Sequence, residues 1–271
     1  YGMHLVHFFE QITTLQKLTW VLDACFYAGF LRLVYPYSSI PIINGSTTAS
    51  IWFFSFSALI NLVRGLWSVG VFVCIDAMQF GLLHWVELPV WLEVFIAVMA
   101  LDLFGQYLIN FMLHRVKWLW EMHMVHHGDT QVDATTGTRH HPGDYLIRES
   151  MGLLTVFFFR IPVAYWAFYR ICSIFLPIGP MLTHPPCTFG KIYSLDPSDT
   201  EYAQVPHHFE RPWTDRNFGN IFFLWDRIFG TFIYENLKAI KFGLDTLDGR
   251  CDEDFSYQLG LPFNKNIKTD D

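Results

Sequence analysis

Charged residues are scarce in this chain, and their scarcity excludes several classes of protein. Only 16% of the 271 residues are Asp, Glu, Lys or Arg, whereas soluble domains carry about 25%. The formal net charge is -7 and no clustered basic face is visible, so no nucleic-acid partner is expected. The five cysteines are odd in number and show no CxxC spacing, so they predict no disulfide framework.

Two kinds of catalytic motif are also missing. No HExxH sequence occurs, and no glutamate lies beside a pair of candidate ligands to act as a general base, so a zinc-dependent membrane hydrolase is disfavoured. Neither a GxGxxG sequence nor a haem-attachment motif occurs. The chain therefore shows no sign of an electron-transfer cofactor of its own.

Apolar residues are abundant instead, and they predict a membrane protein. They make up 52% of the chain, and the mean hydropathy is +0.26. Four apolar regions cover residues 15–35, 51–73, 88–113 and 151–182, and the first three are each near the roughly 20 residues that a spanning helix needs. The fourth is longer and contains Arg160 and several prolines, so it predicts a bent helical hairpin that enters and leaves on one side of the membrane.

Histidines cluster near the ends of these apolar regions. His123, His126 and His127 have i, i+3, i+4 spacing, which places three imidazoles on one face of a helix. Residues 204–208 repeat this spacing with glutamine in the first place. Imidazole binds iron, zinc, copper or nickel, and eight histidines are too many for one tetrahedral zinc and about right for two metals. The eight candidates for a binuclear metal site are His114, His123, His126, His127, His141, His184, His207 and His208.

Pro142 restricts the residue before it, His141, to extended geometry and predicts a turn rather than more helix. His140 competes with His141 for an inward position. Arg139, just before them, could bind a lipid headgroup or pair with Asp144.

The position of the histidines constrains the topology. They lie both before and after the predicted hairpin and have to meet at one site. The chain must therefore cross the membrane an even number of times between the two groups of histidines. Lys and Arg are frequent in both flanking segments, and positive charge favours the cytoplasmic side. We therefore expect an all-α, multi-pass integral-membrane helical bundle with a cytoplasmic His-rich helical cap that holds the binuclear site. A single domain over 1–271 is predicted, with metal-binding segments 110–144 and 184–231.

Several ordered motifs resemble the fatty acid hydroxylase/sterol desaturase superfamily. They lie between about Asp102 and Thr231 and comprise HRVKWLWEMHMVHH from His114, TTGTRHHP from Thr135, Asn217-Phe-Gly, and LWDRIFGT from Leu224. The resemblance implies a di-iron oxygenase that uses O2 and two electrons to hydroxylate or desaturate a membrane lipid, such as a sterol or fatty acyl lipid. It also implies two Fe ions bound by the eight histidines, with zinc possible in purified protein. A separate electron donor is implied as well: a reductase, cytochrome b5 or ferredoxin.

The chain departs from the family pattern at two positions. The first histidine of the family's HxxxH motif falls at Asn110, and the first histidine of its last HxxHH motif falls at Gln204. Because an amide oxygen binds metals more weakly than imidazole, Asn110 and Gln204 could be substitute ligands, hold a water or mark lost ligation. Two hypotheses follow: an active di-iron oxygenase, or a degenerate member of the superfamily that binds lipid or acts as a scaffold without turnover.

Carboxylates near the ligands are expected to accept the remaining ring N–H of each histidine and to fix its orientation. Asp102 is of most interest because it lies inside an apolar span, where an ionisable residue is functional by default. No side chain besides the metal ligands is predicted to be catalytic. The candidates for this supporting role are Asp102, Glu121, Asp133, Asp144 and Asp226, together with His140.

Overall fold

The computed structural model describes residues 45–78, 81–130, 136, 139–182, 215–233, 243–244, 246–247 and 254–264. Regular structure in these ranges is entirely helical and contains no strand, so the predicted all-α class is confirmed for this part of the chain. The predicted apolar region 15–35 lies outside the described residues.

The described ranges fold into eight α-helices and three shorter helical turns. In chain order they are α1 (Gly45–Met78), a 3-10 turn (Leu82–His84), α2 (Val90–Asp102), a π-helical turn (Leu103–Tyr107), α3 (Leu108–Arg115), α4 (Lys117–His127), α5 (Pro142–Phe159), α6 (Val163–Leu182), α7 (Leu224–Phe229), α8 (Phe255–Gly260) and a second 3-10 turn (Leu261–Phe263). Helix α1 contains the predicted apolar region 51–73, while α5 and α6 contain the region 151–182.

One helical stretch is both long and apolar enough to cross a membrane. Helix α2, the π-helical turn and α3 form a continuous helix, Val90–Arg115, which agrees with the predicted region 88–113. Among the residues that the structure describes, no other helix meets both conditions. Additional crossings are therefore part of the proposal made below.

The fourth apolar region forms two helices joined by a tight turn. Helix α5 ends where Arg160 adopts a left-handed conformation with φ 54°, and α6 begins just after Pro162. The predicted break is therefore present, although α5 begins well before residue 151. His141 is extended, with ψ 140°, as the proline predicted, but Pro142 itself is the first residue of α5 and not part of a turn. Proline suits the first position of a helix because the N–H that it lacks would have no helical partner there.

Helix α2 lies among the other long helices of the described ranges. It packs against α5 and α6, and α5 also packs along α1. Large apolar side chains face outward on α1 and α2, including Trp67, Trp91 and Phe95, as is typical of helices that face lipid. The buried apolar core between the helices consists of Ile75, Ala97, Leu101, Val156, Ile161, Ala164, Tyr165, Tyr169 and Ile221.

A buried ion network links three of the long helices. The carboxylate of Glu149 on α5 lies 2.7 Å from Nη2 of Arg64 on α1 and 2.6 Å from Nη1 of Arg170 on α6. Each carboxylate oxygen therefore binds a different guanidinium group. Because these side chains are largely buried, each charge depends on its partner for the interactions that water would otherwise provide.

Candidate metal centre

A single extended residue brings the end of α3 against α4. Val116, at φ -99° and ψ 116°, separates the two helices and lets α4 fold back on α3. His114, near the end of α3, therefore lies against the face of α4 that carries His123 and His127. The apolar side chains that hold the two helices together are Ile109, Leu113, Leu119 and Met122.

The imidazoles of His114, His123 and His127 are buried and lie close together. Their ring centroids are 4.8–4.9 Å apart in pairs, and Nε2 of His123 lies 3.1 Å from Nε2 of His127. One ligand atom from each residue lies within 4.8 Å of the others, close enough to share a metal ion. Nε2 of His114 is buried and makes no hydrogen bond within the described residues. A bound cation would satisfy this nitrogen, so the residues present fit a metal.

His126 and His140 extend the cluster to five histidine rings. Their rings stack with centroids 4.5 Å apart, and His126 also stacks on His123 at 5.5 Å. Nδ1 of His126 donates to the carbonyl oxygen of Thr136 at 3.2 Å, and Nδ1 of His140 donates to Asp144 at 3.0 Å. In both rings Nδ1 is engaged by an acceptor, which leaves Nε2 as the nitrogen that could bind a metal.

The buried carboxylate of Asp144 orients two of these rings. Oδ2 accepts from Nδ1 of His123 and of His140, both at 3.0 Å, and Oδ1 accepts from Nε of Arg148 at 2.8 Å. Burial alone would raise the pKa of Asp144, but the charge of Arg148 and the two histidines hold that pKa well below its usual range. Burial lowers the pKa of His123 well below its usual value, although Asp144 opposes the shift. At neutral pH His123 is therefore neutral, with its proton on Nδ1 and its lone pair on Nε2.

A second carboxylate, on Asp215, supports His114 in the same way. Its Oδ1 lies 3.2 Å from Nδ1 of His114, so the Nε2 atom of that ring faces the cluster. Sequence reasoning missed this residue because the contact joins positions 101 residues apart. It also missed Arg148, although the i, i+4 spacing between Asp144 and Arg148 was a usable signal.

Four of the five candidate ligands in the described ranges come together, and His141 does not join them. Its Nδ1 accepts the backbone N–H of Gly143 at 3.1 Å, which caps α5, and its Nε2 donates to the carbonyl oxygen of Leu259 at 3.2 Å. Burial lowers the pKa of His141, opposed by the bond to Leu259, so the ring is neutral at neutral pH. His140 lies in the cluster instead. The candidates outside the described residues are His184, Gln204, His207, His208 and Asp133.

Asp102 and Asp226 contact no histidine within the described residues, and they hold the segment 215–233 in place. Asp102 is buried and accepts from the hydroxyl of Tyr169 and the indole N–H of Trp225, both at 2.9 Å. Asp226 accepts two backbone N–H groups of the same segment, at 2.7 and 2.8 Å. These bonds fix the loop that presents Asp215 to His114. Burial raises the pKa of Asp226 against the effect of those hydrogen bonds.

Arg139 pairs with Asp129 rather than with Asp144. Its guanidinium is fully buried, and Nη1 lies 3.6 Å from Oδ1 of Asp129. The hydroxyl of Thr136 donates to the other oxygen of the same carboxylate at 2.5 Å. The pairing with Asp144 is therefore not formed, and burial removes Arg139 from lipid headgroups. Instead, Asp129, just after α4, binds both Arg139, just before α5, and Thr136, whose carbonyl oxygen accepts from His126.

The described helices thus enclose a cluster of histidines that could hold a metal ion, and in four of the five rings Nδ1 is hydrogen-bonded to a carboxylate or a carbonyl oxygen. The family model for fatty acid hydroxylase matches residues 94–231, just over half of the chain. The chain therefore belongs to the fatty acid hydroxylase family, as the sequence motifs predicted.

Comparison with curated proteins finds relatives that share one name, alkylglycerol monooxygenase. The protein from Homo sapiens is 25% identical over 173 residues, the one from Danio rerio 27% over 175, and the one from Xenopus tropicalis 26% over 152. These matches cover 58%, 58% and 51% of this chain and 34%, 34% and 30% of the relatives. The chain thus spans about a third of the length of the curated relatives it matches. No solved structure gives a significant match.

Proposed function

We propose that this protein is a membrane-embedded oxygenase in which histidines hold a pair of iron ions and O2 is used to hydroxylate or desaturate a membrane lipid. Family membership supports the class of reaction. The observation that carries the proposal is the convergence of imidazoles, with Nε2 of His123 and His127 3.1 Å apart and Nε2 of His114 buried beside them without a hydrogen bond in the described residues.

The chemistry of lipid oxidation accounts for this choice of side chains. An unactivated C–H bond has no acidity that a side-chain base could use, and iron held by these histidines would supply the O2-dependent oxidation chemistry instead. The protein's own contribution is orientation. Asp144 and Asp215 accept the Nδ1 protons of His123 and His114, which directs the Nε2 lone pairs of both rings into the cluster.

The remaining ligands of this proposal come from His126, from His140 or His141, and from the histidines outside the described residues. His141 would have to release Leu259 before its Nε2 could bind a metal, because that nitrogen donates to a carbonyl oxygen. His140 needs no such rearrangement, since only its Nδ1 is engaged by Asp144. Zinc could replace iron in purified protein, because affinity alone does not select iron.

We place the centre at the membrane surface, on the cytoplasmic side of a multi-pass bundle. His114 lies in the last turn of α3, at the end of the candidate span Val90–Arg115. Exposed apolar side chains on α1 and α5, such as Trp67 and Phe158, extend the lipid-facing surface beyond that span. A lipid within the bilayer could then approach the centre from the side.

The substrate and the electron donor are proposed from what the chain resembles. The relatives are named for alkylglycerol, so an alkylglycerol is the first substrate to test, followed by sterols and fatty acyl lipids. As the family resemblance implies, electrons would come from a separate reductase, cytochrome b5 or ferredoxin.

The experiment that tests this function couples O2 consumption to product formation. Protein purified anaerobically in detergent and loaded with Fe2+ is given an electron donor and an alkylglycerol, and the lipid is analysed by mass spectrometry. We expect O2 consumption that matches the oxidised product, loss of both in His126→Ala, and parent behaviour in Ser150→Ala, which removes a hydroxyl that donates to the carbonyl oxygen of Leu146 within α5. Lipid binding without O2 consumption across the three lipid classes would favour the degenerate, scaffolding alternative.

A further inference from the structure

The amide of Asn110 is engaged on both sides by protein groups. Oδ1 accepts an N–H from Nη2 of Arg148 at 2.8 Å, and Nδ2 donates to the carbonyl oxygen of Phe218 at 3.1 Å. The opposite orientation of the amide would set its NH2 group against a guanidinium and its oxygen against a carbonyl, so the partners fix the orientation. The oxygen that a metal ion would need is therefore bound to a cation.

Arg148 connects this amide with the carboxylate that orients two histidines. Its Nε donates to Oδ1 of Asp144 at 2.8 Å, while its Nη2 lies 3.4 and 3.5 Å from the two ring nitrogens of His123. Nearly equal distances place Nη2 over the ring, because an in-plane approach this close would collide with the carbon between the nitrogens. Nη2 of Arg148 therefore lies over the face of the His123 ring, which leaves the Nε2 lone pair directed at His127.

These contacts join three helices around the centre, with Asn110 on α3, His123 on α4 and Arg148 on α5. The planar guanidinium reaches Asp144 through Nε and Asn110 through Nη2 at the same time, which a lysine could not do. A metal ion on the amide oxygen would lie beside the positive charge of Arg148, and the repulsion disfavours that arrangement.

We propose that Asn110 is a positioning residue rather than a metal ligand. It holds Arg148 over His123, and Arg148 holds Asp144 in the orientation that fixes Nδ1 of His123 and of His140. The inference rests on the proposed metal centre and assigns a role to the position where the family's pattern has a histidine. The positive charge of Arg148 occupies the side of the cluster that Asn110 faces.

The test is a titration of the metal-free chain in detergent with Co2+, whose visible absorption reports its ligands. The proteins compared are the parent, Asn110→Ala, Arg148→Gln, the double variant and Ser150→Ala as the control on α5. We expect Arg148→Gln to weaken Co2+ binding by about 10-fold or more, and Asn110→Ala to weaken it only when Arg148 is present. The absorption spectrum at saturation should be the same in the parent and in Asn110→Ala.

Three results would overturn the assignment: a changed saturated spectrum in Asn110→Ala, an effect of Asn110→Ala that persists undiminished in the double variant, or no effect of Asn110→Ala on affinity. Asn110→Asp is a second test that avoids loss of packing. It keeps an oxygen facing Arg148 and should retain the parent spectrum, whereas a new carboxylate ligand would shift it. Thermal unfolding of each metal-free variant checks that it is folded.

The outcomes also separate this inference from the proposed function. A parent protein that binds no Co2+ overturns both. A parent that binds Co2+, but in which Asn110 and Arg148 act independently, overturns the role of Asn110 alone.

Discussion

Replacing Asp144 with asparagine removes one of the two oxygens on which the histidine cluster depends. The carboxylate accepts from Arg148 on one oxygen and from His123 and His140 on the other. An asparagine has one acceptor and one donor group, so in either orientation its NH2 faces a donor. At least one hydrogen bond to a charged group is lost, at a cost of about 1.5–3 kcal/mol.

This loss should be visible in both stability and metal binding. At about 2–4 °C per kcal/mol for a chain of this size, the thermal midpoint of the metal-free protein should fall by roughly 3–12 °C. The affinity for Co2+ should fall by about 10- to 100-fold, because His123 and His140 lose the group that orients them. Both quantities are measured on detergent-solubilised protein, by thermal unfolding and by titration.

The matched control is Asp254→Asn, which makes the same chemical change at an exposed position. Asp254 caps α8 by accepting the backbone N–H groups of Ser256 and Tyr257, and asparagine caps helices about as well as aspartate. If Asp144→Asn changed stability and Co2+ affinity no more than Asp254→Asn does, Asp144 would not orient the cluster.

Three other changes have distinct expected results. Glu149→Gln should lower the free energy of unfolding by about 3–5 kcal/mol, measured by thermal unfolding, because Arg64 and Arg170 lose their shared buried partner. Asp102→Asn should lower the thermal midpoint yet leave the Co2+ spectrum unchanged, since the contacts described for Asp102 include no histidine. The metal-free protein should lose stability as pH falls below about 6.5, because the depressed pKa of His123 means that only the unfolded state takes up a proton there; a thermal midpoint that stayed constant from about pH 7.5 to 5.5 would contradict this.

Local spacing predicted the part of the site that lies on one helix. His123, His126 and His127 fall on α4, and their rings are in mutual contact, because the i, i+3, i+4 pattern sets their direction. Spacing could not identify Asp215, whose contact with His114 depends on how a distant loop is held.

The choice between His140 and His141 shows a different limit. Pro142 predicted that the residue before it is extended, and His141 is extended, with ψ 140°. It did not reveal that the same proline starts a helix, whose second residue, Gly143, donates its backbone N–H to Nδ1 of His141. The adjacent His140 is left to meet Asp144, one turn further along the chain.

Asp102 shows what an apolar context predicts and what it leaves open. A carboxylate within an apolar helix has to be engaged by other groups, and Asp102 accepts hydrogen bonds from Tyr169 and Trp225, more than 60 residues away in the chain. The sequence indicates that the carboxylate of Asp102 is buried and needs hydrogen-bond donors. Which residues donate depends on the packing of α2 against α6 and the segment 215–233.

The iron content of the purified chain tests the central claim most directly. Protein loaded with Fe2+ under anaerobic conditions and freed of loosely bound metal should retain about two iron ions per chain. His123→Ala and His127→Ala should each lose iron, while Ser150→Ala should retain it. A parent protein without bound iron, or full iron content in both histidine variants, would contradict the account.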